Sequence, residues 1–421
     1  MSITSSARTN VGLVRTNNED SFLVNEELGL YIVCDGMGGH KAGEVASQTA
    51  CATLEQEVRN LEPLIDRFKR TGLNSDAKEI KKSVESALQN ACREIYTKAS
   101  KNAECTGMGT TCSMVLIIGH NKGVLGHVGD SRLYMVRKEK LYQLSEDHTY
   151  VNELVKRGAL TEEQAENHPQ ANVLTRALGV QASVSADTMV FDVDPSDVFL
   201  LCSDGLFSYF QQPQDLIHQL LQDNLEESID TLIQQALDGG AHDNCTGIIM
   251  RSAPMDGDHI TAADRIDTLR RIPLFNHLNY KELVKVVGSA QLSQFQPDEF
   301  IIREGTVGEE FYVVLTGEVE VSKSTNHLVT LKAGGHFGEM SMIDAAPRSA
   351  SCQAKDKVNL LVIRRGEFFN LIRSEPVIAS KLLWSFVQAL SGRLRETNEA
   401  LLGAKQLFNP DSQSEFEVFE N

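Results

Sequence analysis

Residues 33–44 read VCDGMGGHKAGE. An apolar run, LGLYIV, leads through Cys34 and stops at Asp35, and four glycines fall within the next nine residues. Three readings compete. An Asp-Gly pair after a strand is a common turn. Gly38 and Gly43 have the four-residue gap of a phosphate-binding loop, but that loop needs Lys and then Ser or Thr after its second glycine. Glu44 and Val45 follow instead, and a carboxylate there repels a phosphate. The third reading is a metal site.

The metal reading gains weight because the pattern recurs. DVFLLC also ends in an Asp-Gly pair, Asp204-Gly205. GVLGHVG ends at Asp130, Asp243 precedes the apolar run TGIIM, and Glu19 and Asp20 precede SFLV. Carboxylates thus sit repeatedly at the ends of expected core strands. Gathered at one rim they repel one another unless a cation neutralises them. Oxygen ligands select Mg2+ or Mn2+ over zinc or copper.

The rest of the chain bounds the problem. It has 421 residues, 41% hydrophobic and 23% charged, with a formal net charge of -18. Its length suits two or three domains. The acidic balance argues against nucleic acid and anionic membrane surfaces as partners. No run reaches the roughly 18–20 apolar residues of a membrane span, and the N-terminus lacks the apolar core of a signal peptide. The eight cysteines are scattered singly. Cys34, Cys112, Cys202 and Cys245 read as free, small core residues, and the expected compartment is the cytoplasm.

Strands are expected at SFLV, LGLYIVC, TTCSMVLII, GVLGHV, SRLYMVR, DVFLLCS and TGIIM, and helices over 44–60 and 76–101. Strands and helices in blocks indicate an α+β fold with helices outside antiparallel sheets. Residues 1–252 read as one domain and 253–264 (APMDGDHITAAD from Ala253) as a linker. Residues 265–402 read as a second domain, and 403–421 as an acidic, disordered tail. In the second domain a glycine-punctuated β region runs from Leu292 to Ile363. A helical segment follows, with Ile378, Leu382, Leu383, Phe386, Leu390 and Leu394 on one apolar stripe. The single Trp, Trp384, is expected to be buried on that stripe.

The ordered set Arg15/Glu19/Asp20, DGMGGHKAGE, Gly109–Thr111, GDSRLY from Gly129, CSDGL and Asp243-Asn244 resembles the metal-dependent protein phosphatases of the protein phosphatase 2C family, bacterial branch. The resemblance covers residues 8–251. It implies a β-sandwich flanked by helices that hydrolyses phosphoserine and phosphothreonine in proteins. It places Asp35 between two Mn2+ or Mg2+ ions, with the Gly36 carbonyl on one and Asp204 and Asp243 on the other. Glu19 and Asp20 act through water, and Asp130 with Asp204 matches a third metal position. Arg15 matches the arginine that holds the substrate phosphate. Asn244 orients Asp243 or serves as a turn residue. Two cations that activate water require no cysteine or histidine nucleophile. Met37 stands where many eukaryotic members have a histidine, so neither it nor His40 is assigned as proton donor. Residues 145–180 resemble the family's flap beside the site.

HFGEMSMIDAAPRSASC, residues 336–352, resembles the phosphate-binding cassette of a cyclic nucleotide-binding domain, over about 272–395. This implies an eight-stranded jelly-roll with C-terminal helices. Gly338 opens the cassette and Glu339 matches the acceptor for the ribose 2'-hydroxyl. The amides near Met340 and Ser341 and the Arg348 side chain match the phosphate contacts, and Ser349 sits beside phosphate or base. The reading leans to cyclic AMP over cyclic GMP. The function expected is a serine/threonine phosphatase regulated by cyclic nucleotide. The alternative is a nucleotide sensor with an inactive phosphatase scaffold. Phosphoproteins, a cognate Ser/Thr kinase and the nucleotide are the expected partners.

Overall fold

The computed structural model describes residues 2–38, 42–210, 212–254, 260–324, 326–340 and 346–408. The chain divides into two units, Met1–Ala263 and Asp264–Asn421.

The strands of the first unit are β1 (Ile3–Asn10), β2 (Asp20–Asn25), β3 (Leu30–Met37), β4 (Gly109–Thr110), β5 (Cys112–Gly119), β6 (Lys122–Val128), β7 (Arg132–Arg137), β8 (Lys140–Gln143), β9 (Asp187–Asp192), β10 (Val198–Cys202) and β11 (Cys245–Ser252). One antiparallel sheet has the order β1-β11-β10-β7-β8. The other runs β2-β3-β5-β6-β9, with β4 alongside β3. β3 shows why both faces of a sheet are covered. Successive side chains point to opposite faces. Leu30, Ile32 and Cys34 pack with Ala46, Ala50 and Leu54 of helix Ala42–Asn60 and Val84 and Leu88 of helix Asn74–Lys101. Tyr31 and Val33, equally buried, point the other way, toward the second sheet. Phe191 of β9 and Phe199 of β10 meet across the sandwich with ring centroids 5.6 Å apart. Helices Pro213–Leu220 and Leu225–Asp238 cover the outer face of the first sheet through Leu216, Leu220, Ile229 and Leu232.

All seven expected strands of this unit form. β1 escaped the sequence reading because ITSSARTN is polar. It is an edge strand, paired only with β11, and needs one apolar face at most. The expectation of two helical stretches is too small. Helices Glu62–Thr71, Pro213–Leu220 and Leu225–Asp238 also form. All eight cysteines are buried and free.

Helix Ala262–Arg270 begins inside the stretch read as a linker, of which 255–259 lie outside the described residues. Its first amides, Ala262 and Ala263, donate to the Asp194 carboxylate at 2.7 and 2.9 Å, a cap that a linear pattern does not reveal.

The second unit has strands β12 (Gln291–Phe295), β13 (Phe300–Ile302), β14 (Glu310–Thr316), β15 (Val319–Lys323), β16 (Asn326–Leu331), β17 (His336–Phe337), β18 (Ser351–Ala354) and β19 (Val358–Arg364). They form two four-stranded sheets, β12-β19-β14-β17 and β13-β18-β15-β16, as a jelly-roll requires. Between them lie Tyr312, Val314, Val319, Phe337, Cys352, Leu360 and Val362. Helices Arg365–Ser374 and Pro376–Phe408 follow. The last one extends into the stretch expected to be a disordered tail, of which 409–421 lie outside the described residues. Helix-forming residues continue to Phe408, and Pro410 is the first that cannot extend a helix. The single apolar stripe expected on this helix splits. Ile378 and Leu382 are buried, whereas Leu383, Leu390 and Leu394 are exposed, and Trp384 is 60% exposed rather than buried.

Packing of the helices on the sheet predicts a clear contrast. Leu54→Ala removes a fully buried side chain and should cost about 2–5 kcal/mol in urea unfolding. Leu73→Ala, at a side chain 54% exposed, should stay within about 0.5 kcal/mol.

Candidate functional site

Antiparallel pairing brings strand entries and exits to a common rim. Asp20 at the entry of β2 pairs with Asp35 near the exit of β3. Cys202 at the exit of β10 pairs with Gly247 near the entry of β11 and with Arg132 at the entry of β7. Asp204 follows Cys202, Asp243 precedes β11 and Asp130 precedes β7, so the register delivers every one of these carboxylates to the rim. Arg15, Glu19, Asp35, Gly36, Asp130, Asp204 and Asp243 line one cavity of about 660 Å³. Its other wall is the loop from Asn172 to Ser185, in the segment read as a flap and just beyond it.

The opening motif is not a hairpin. Gly36 and Met37 remain in strand register, opposite Thr110 and Gly109 of β4. A side chain at Gly36 would collide with the carbonyls of Glu19 and Gly43, so only glycine lets loop, strand and helix start meet there. His40 lies outside the described residues.

Hydroxyls hold the Asp35 backbone. Its amide donates to Thr111 Oγ1 at 2.9 Å and its carbonyl accepts from the Thr111 amide at 2.8 Å. Thr111 Oγ1 in turn bonds Ser131 Oγ at 2.7 Å. Asp20 stands behind the cavity wall, where Ser203 Oγ donates to its Oδ2 at 2.8 Å. Its Oδ1, and Oδ1 of Asp204, are buried with no hydrogen-bond partner.

Such orphaned acceptors are costly unless a cation completes them. Burial pushes Asp20 up to about 7, the neighbouring Asp204 and Asp243 charges adding to the effect. Burial, with Asp204 nearby, does the same to Asp130, also to about 7. Asp35 is pushed well above the carboxylate range by burial and by Asp20, Asp204 and Asp130, and Asp204 is raised chiefly by burial. This donor set is all oxygen, anionic and under-satisfied, and it fits a hard divalent cation. Among the described residues no three carboxylates already surround one point. Mg2+-like ions keep several waters and take one or two carboxylates each, so a three-carboxylate cage is not required.

Asp243 differs from the others. It is 39% exposed in its side chain, and its Oδ2 accepts from Arg15 Nη2 at 2.7 Å. Asn244 does not bond the Asp243 carboxylate through its side chain. Its Oδ1 accepts from the Glu19 amide at 2.8 Å, and its Nδ2 donates to the carbonyls of Val11 and Asn17, both at 3.0 Å. It therefore pins the loop that carries Arg15 and Glu19.

Sequence reasoning missed a group at the flap edge. Gly129 N donates to His148 Nδ1 at 3.1 Å, and His148 Nε2 lies 3.3 Å from Asp187 Oδ2 and 3.1 Å from Arg176 Nη1. Arg176, which lines the cavity, donates to Asp187 Oδ1 at 2.9 Å. Burial opposes it, but His148 and Arg176 hold Asp187 below the usual carboxylate range. Nothing in the spacing of His148, Arg176 and Asp187 signals that they meet.

The second unit has a cavity of about 280 Å³ lined by residues that include Phe300, Arg303, Thr306, Glu310, Tyr312 and Arg348. Arg348 is 5% exposed. Its Nη2 donates to the Glu310 carbonyl at 2.9 Å and faces the Glu310 carboxylate at 3.3 Å, and its Nη1 donates to the Gly338 carbonyl at 3.4 Å. Gly338 has φ +82°, and a Cβ there would lie 2.6 Å from the guanidinium. Met340 and Ser349 are exposed, and Ser341 lies outside the described residues.

The protein phosphatase 2C family model matches residues 14–238. The chain belongs to the protein phosphatase 2C family. The expectation of a phosphatase is thereby borne out, as is the resemblance to a cyclic nucleotide-binding domain, whose family model matches residues 292–375. The serine/threonine phosphatase stp of Listeria innocua is 37% identical over 248 residues, 58% of this chain and 93% of that protein. The crystal structure of the Mycobacterium tuberculosis serine/threonine phosphatase PstP/Ppp aligns with a TM-score of 0.53 at 33% identity. It covers 60% of this chain and all of that one. The catalytic domain of PstP in complex with two manganese ions aligns at 0.51 and 32% identity, over 60% of this chain and 98% of that one.

The raised carboxylates set a sign for stability. With metal chelated, the folded protein holds protons on Asp20 and Asp130 up to about pH 7, whereas the unfolded chain releases them near pH 4. The folded state therefore binds more protons across that window, and stability falls as pH rises through it. In chelator, the melting temperature of the first unit should drop by at least about 5 °C between pH 5 and pH 8. Mn2+ should raise it more at pH 8 than at pH 5. Scanning calorimetry with and without Mn2+ measures both.

Proposed function

We propose that the first unit hydrolyses phosphoserine and phosphothreonine in proteins with Mn2+ or Mg2+, and that a cyclic nucleotide bound to the second unit regulates it. The carrying observation is the convergence of Asp20, Asp35, Asp130, Asp204 and Asp243 at one rim, with orphaned oxygens and raised proton affinity.

Asp35, Asp204 and Asp243 would hold two ions together with the Gly36 carbonyl. Glu19 and Asp20 would act through water, and Asp130 with Asp204 would serve a further ion. Bound there, the ions supply a nucleophile from water at neutral pH and neutralise charge on the phosphoryl oxygens. Arg15 reaches the same cavity, spends one donor on Asp243 and has others to orient a phosphate. The Thr111–Ser131 pair fixes the Asp35 backbone, and Asn244 fixes the loop carrying Arg15. The loop from Asn172 to Ser185 forms the wall that a phosphoprotein would meet. Water activated by two cations attacks phosphorus directly and requires no covalent phosphoenzyme.

In the second unit Arg348 would pair the cyclic phosphate and Glu339 the ribose hydroxyl. Gly338, Met340, Ser341 and Ser349 would contribute to the cassette. We favour cyclic AMP over cyclic GMP; the Ser349 hydroxyl is compatible with either. The partners proposed are phosphoproteins and a cognate Ser/Thr kinase. No helix among the described residues is long and apolar enough to cross a membrane. Eight free buried cysteines suit a reducing compartment, so we place the protein in the cytoplasm.

Phosphopeptide turnover with Mn2+, with and without each nucleotide, tests enzyme, ligand and coupling together. Hydrolysis that shifts about 5–150-fold with cyclic AMP is the expected result. Its complete absence would leave a sensor on an inactive scaffold. Asp35→Asn should abolish turnover and leave the melting temperature in chelator unchanged or higher, since it removes a buried repulsion. Near wild-type turnover would refute the assignment. Arg348→Ala should weaken cyclic AMP binding at least about 10-fold by calorimetry, as expected for a lost buried charge-assisted bond.

A further inference from the structure

Among the residues that the loop from Asn172 to Ser185 contributes to the cavity of the first unit, Arg176 alone is charged. Its backbone is fixed from both sides. Before it, the Tyr150 amide donates to the Val173 carbonyl and the Thr175 amide to the His148 carbonyl, both at 2.8 Å. After it, the Leu178 amide donates to the Thr110 carbonyl at 2.8 Å and the Thr110 amide to the Leu178 carbonyl at 3.0 Å. Thr110 pairs in turn with Gly36. The chain that carries Arg176 is thereby tied to the strand that carries Asp35.

The guanidinium is oriented from one side only. Its Nη1 donates to Asp187 Oδ1 at 2.9 Å and to the Ser185 carbonyl at 3.4 Å, and lies 3.1 Å from His148 Nε2. Nε and Nη2 have no acceptor among the described residues, and the side chain is 29% exposed. We propose that Arg176 offers this free edge to an anionic group of the substrate beside the scissile phosphoresidue. The phosphatase would then select phosphoproteins that carry a carboxylate or a second phosphate next to the phosphorylated residue. The inference rests on the phosphatase reading given above.

The Nε–Nη2 edge presents two parallel N–H groups, the geometry that a carboxylate or a phosphate accepts bidentately. Arg15 stands on the carboxylate wall, bonded to Asp243, so each of the two walls carries its own cation. At about 660 Å³ the cavity falls in the range that encloses a drug-sized ligand rather than a single phosphoryl group. A fixed backbone and an anchored Nη1 leave little ordering cost when an anion arrives. A lysine on the same substrate residue would meet like charge and be disfavoured. Asp187 acts through Arg176 and is a positioning residue.

Steady-state kinetics of the full chain with Mn2+ tests this, on phosphothreonine peptides that differ only in the flanking residue: Ala, Asp, phosphoserine or Lys. For the wild type, KM should be at least about 10-fold lower with Asp or phosphoserine than with Ala, as a charge-assisted pair predicts, and highest with Lys. A gain with only one of the two anions identifies the group that is read. Arg176→Ala should bring the Asp, phosphoserine and Ala peptides within about twofold of one another, the loss falling on KM rather than kcat. Arg176→Lys, which keeps the charge but not the two-donor edge, and Asp187→Asn should each retain part of the preference. Arg157→Ala, exposed and outside the cavity, should retain all of it. Equal KM values for the Ala and acidic peptides in the wild type, or an acidic preference that persists in Arg176→Ala, would overturn the proposal while leaving the phosphatase reading intact. No turnover of any peptide or of p-nitrophenyl phosphate would overturn that reading, and the proposal with it.

Discussion

Mutual repulsion among buried carboxylates is the constraint around which the first unit is organised. Asp20, Asp35, Asp130 and Asp204 lie within reach of one another's charge at the end of the sandwich. Left alone, they favour proton uptake or separation. They stay because each is tied to a strand end, and the strands are held by two cores. One core lies between the β2–β9 sheet and its helices, the other between the β1–β8 sheet and its helices. Hydroxyls of Thr111, Ser131 and Ser203 and the amide of Asn244 fix the backbone and one oxygen of Asp20 without neutralising the cluster. The site is thus held in a shape complementary to positive charge.

The second unit applies the same logic with the opposite sign. Its buried charge is a guanidinium, and carbonyl oxygens and the Glu310 carboxylate surround Arg348. Burying an arginine is tolerated only where its donors are engaged, and its position on a cavity makes an anion the natural further partner. The first unit thus buries a group of carboxylates at its cavity, and the second buries one guanidinium at its own.

Legibility varied with physical cause. Strands whose residues face a core on at least one side were readable, as in LGLYIVC and DVFLLC. The edge strand β1 was not, because an edge can be built from serine and threonine. The acidic residues at strand ends stood out through repetition. Arg15, Asp35 and Asp204 indeed share a cavity. Asn244 carried no sign of its target, since its partners Val11, Asn17 and Glu19 lie more than 220 residues away. Apolar periodicity marked the C-terminal helix but did not say which apolar residues the fold would cover. Ile378 and Leu382 are covered while Leu383 and Trp384 are not.

By itself the sequence determined the residue types, the strand-end placement of the carboxylates and the glycines that permit close backbone approach. Those are local properties, set by composition and by a period of two or 3.6. The tertiary structure alone decided which oxygens are orphaned, which carboxylate is taken up by Arg15, and that His148, Asp187 and Arg176 meet beside the cavity. Those outcomes depend on strand register and on burial. Both are collective properties of the packed chain, because the energy of a charge is set by what surrounds it in space.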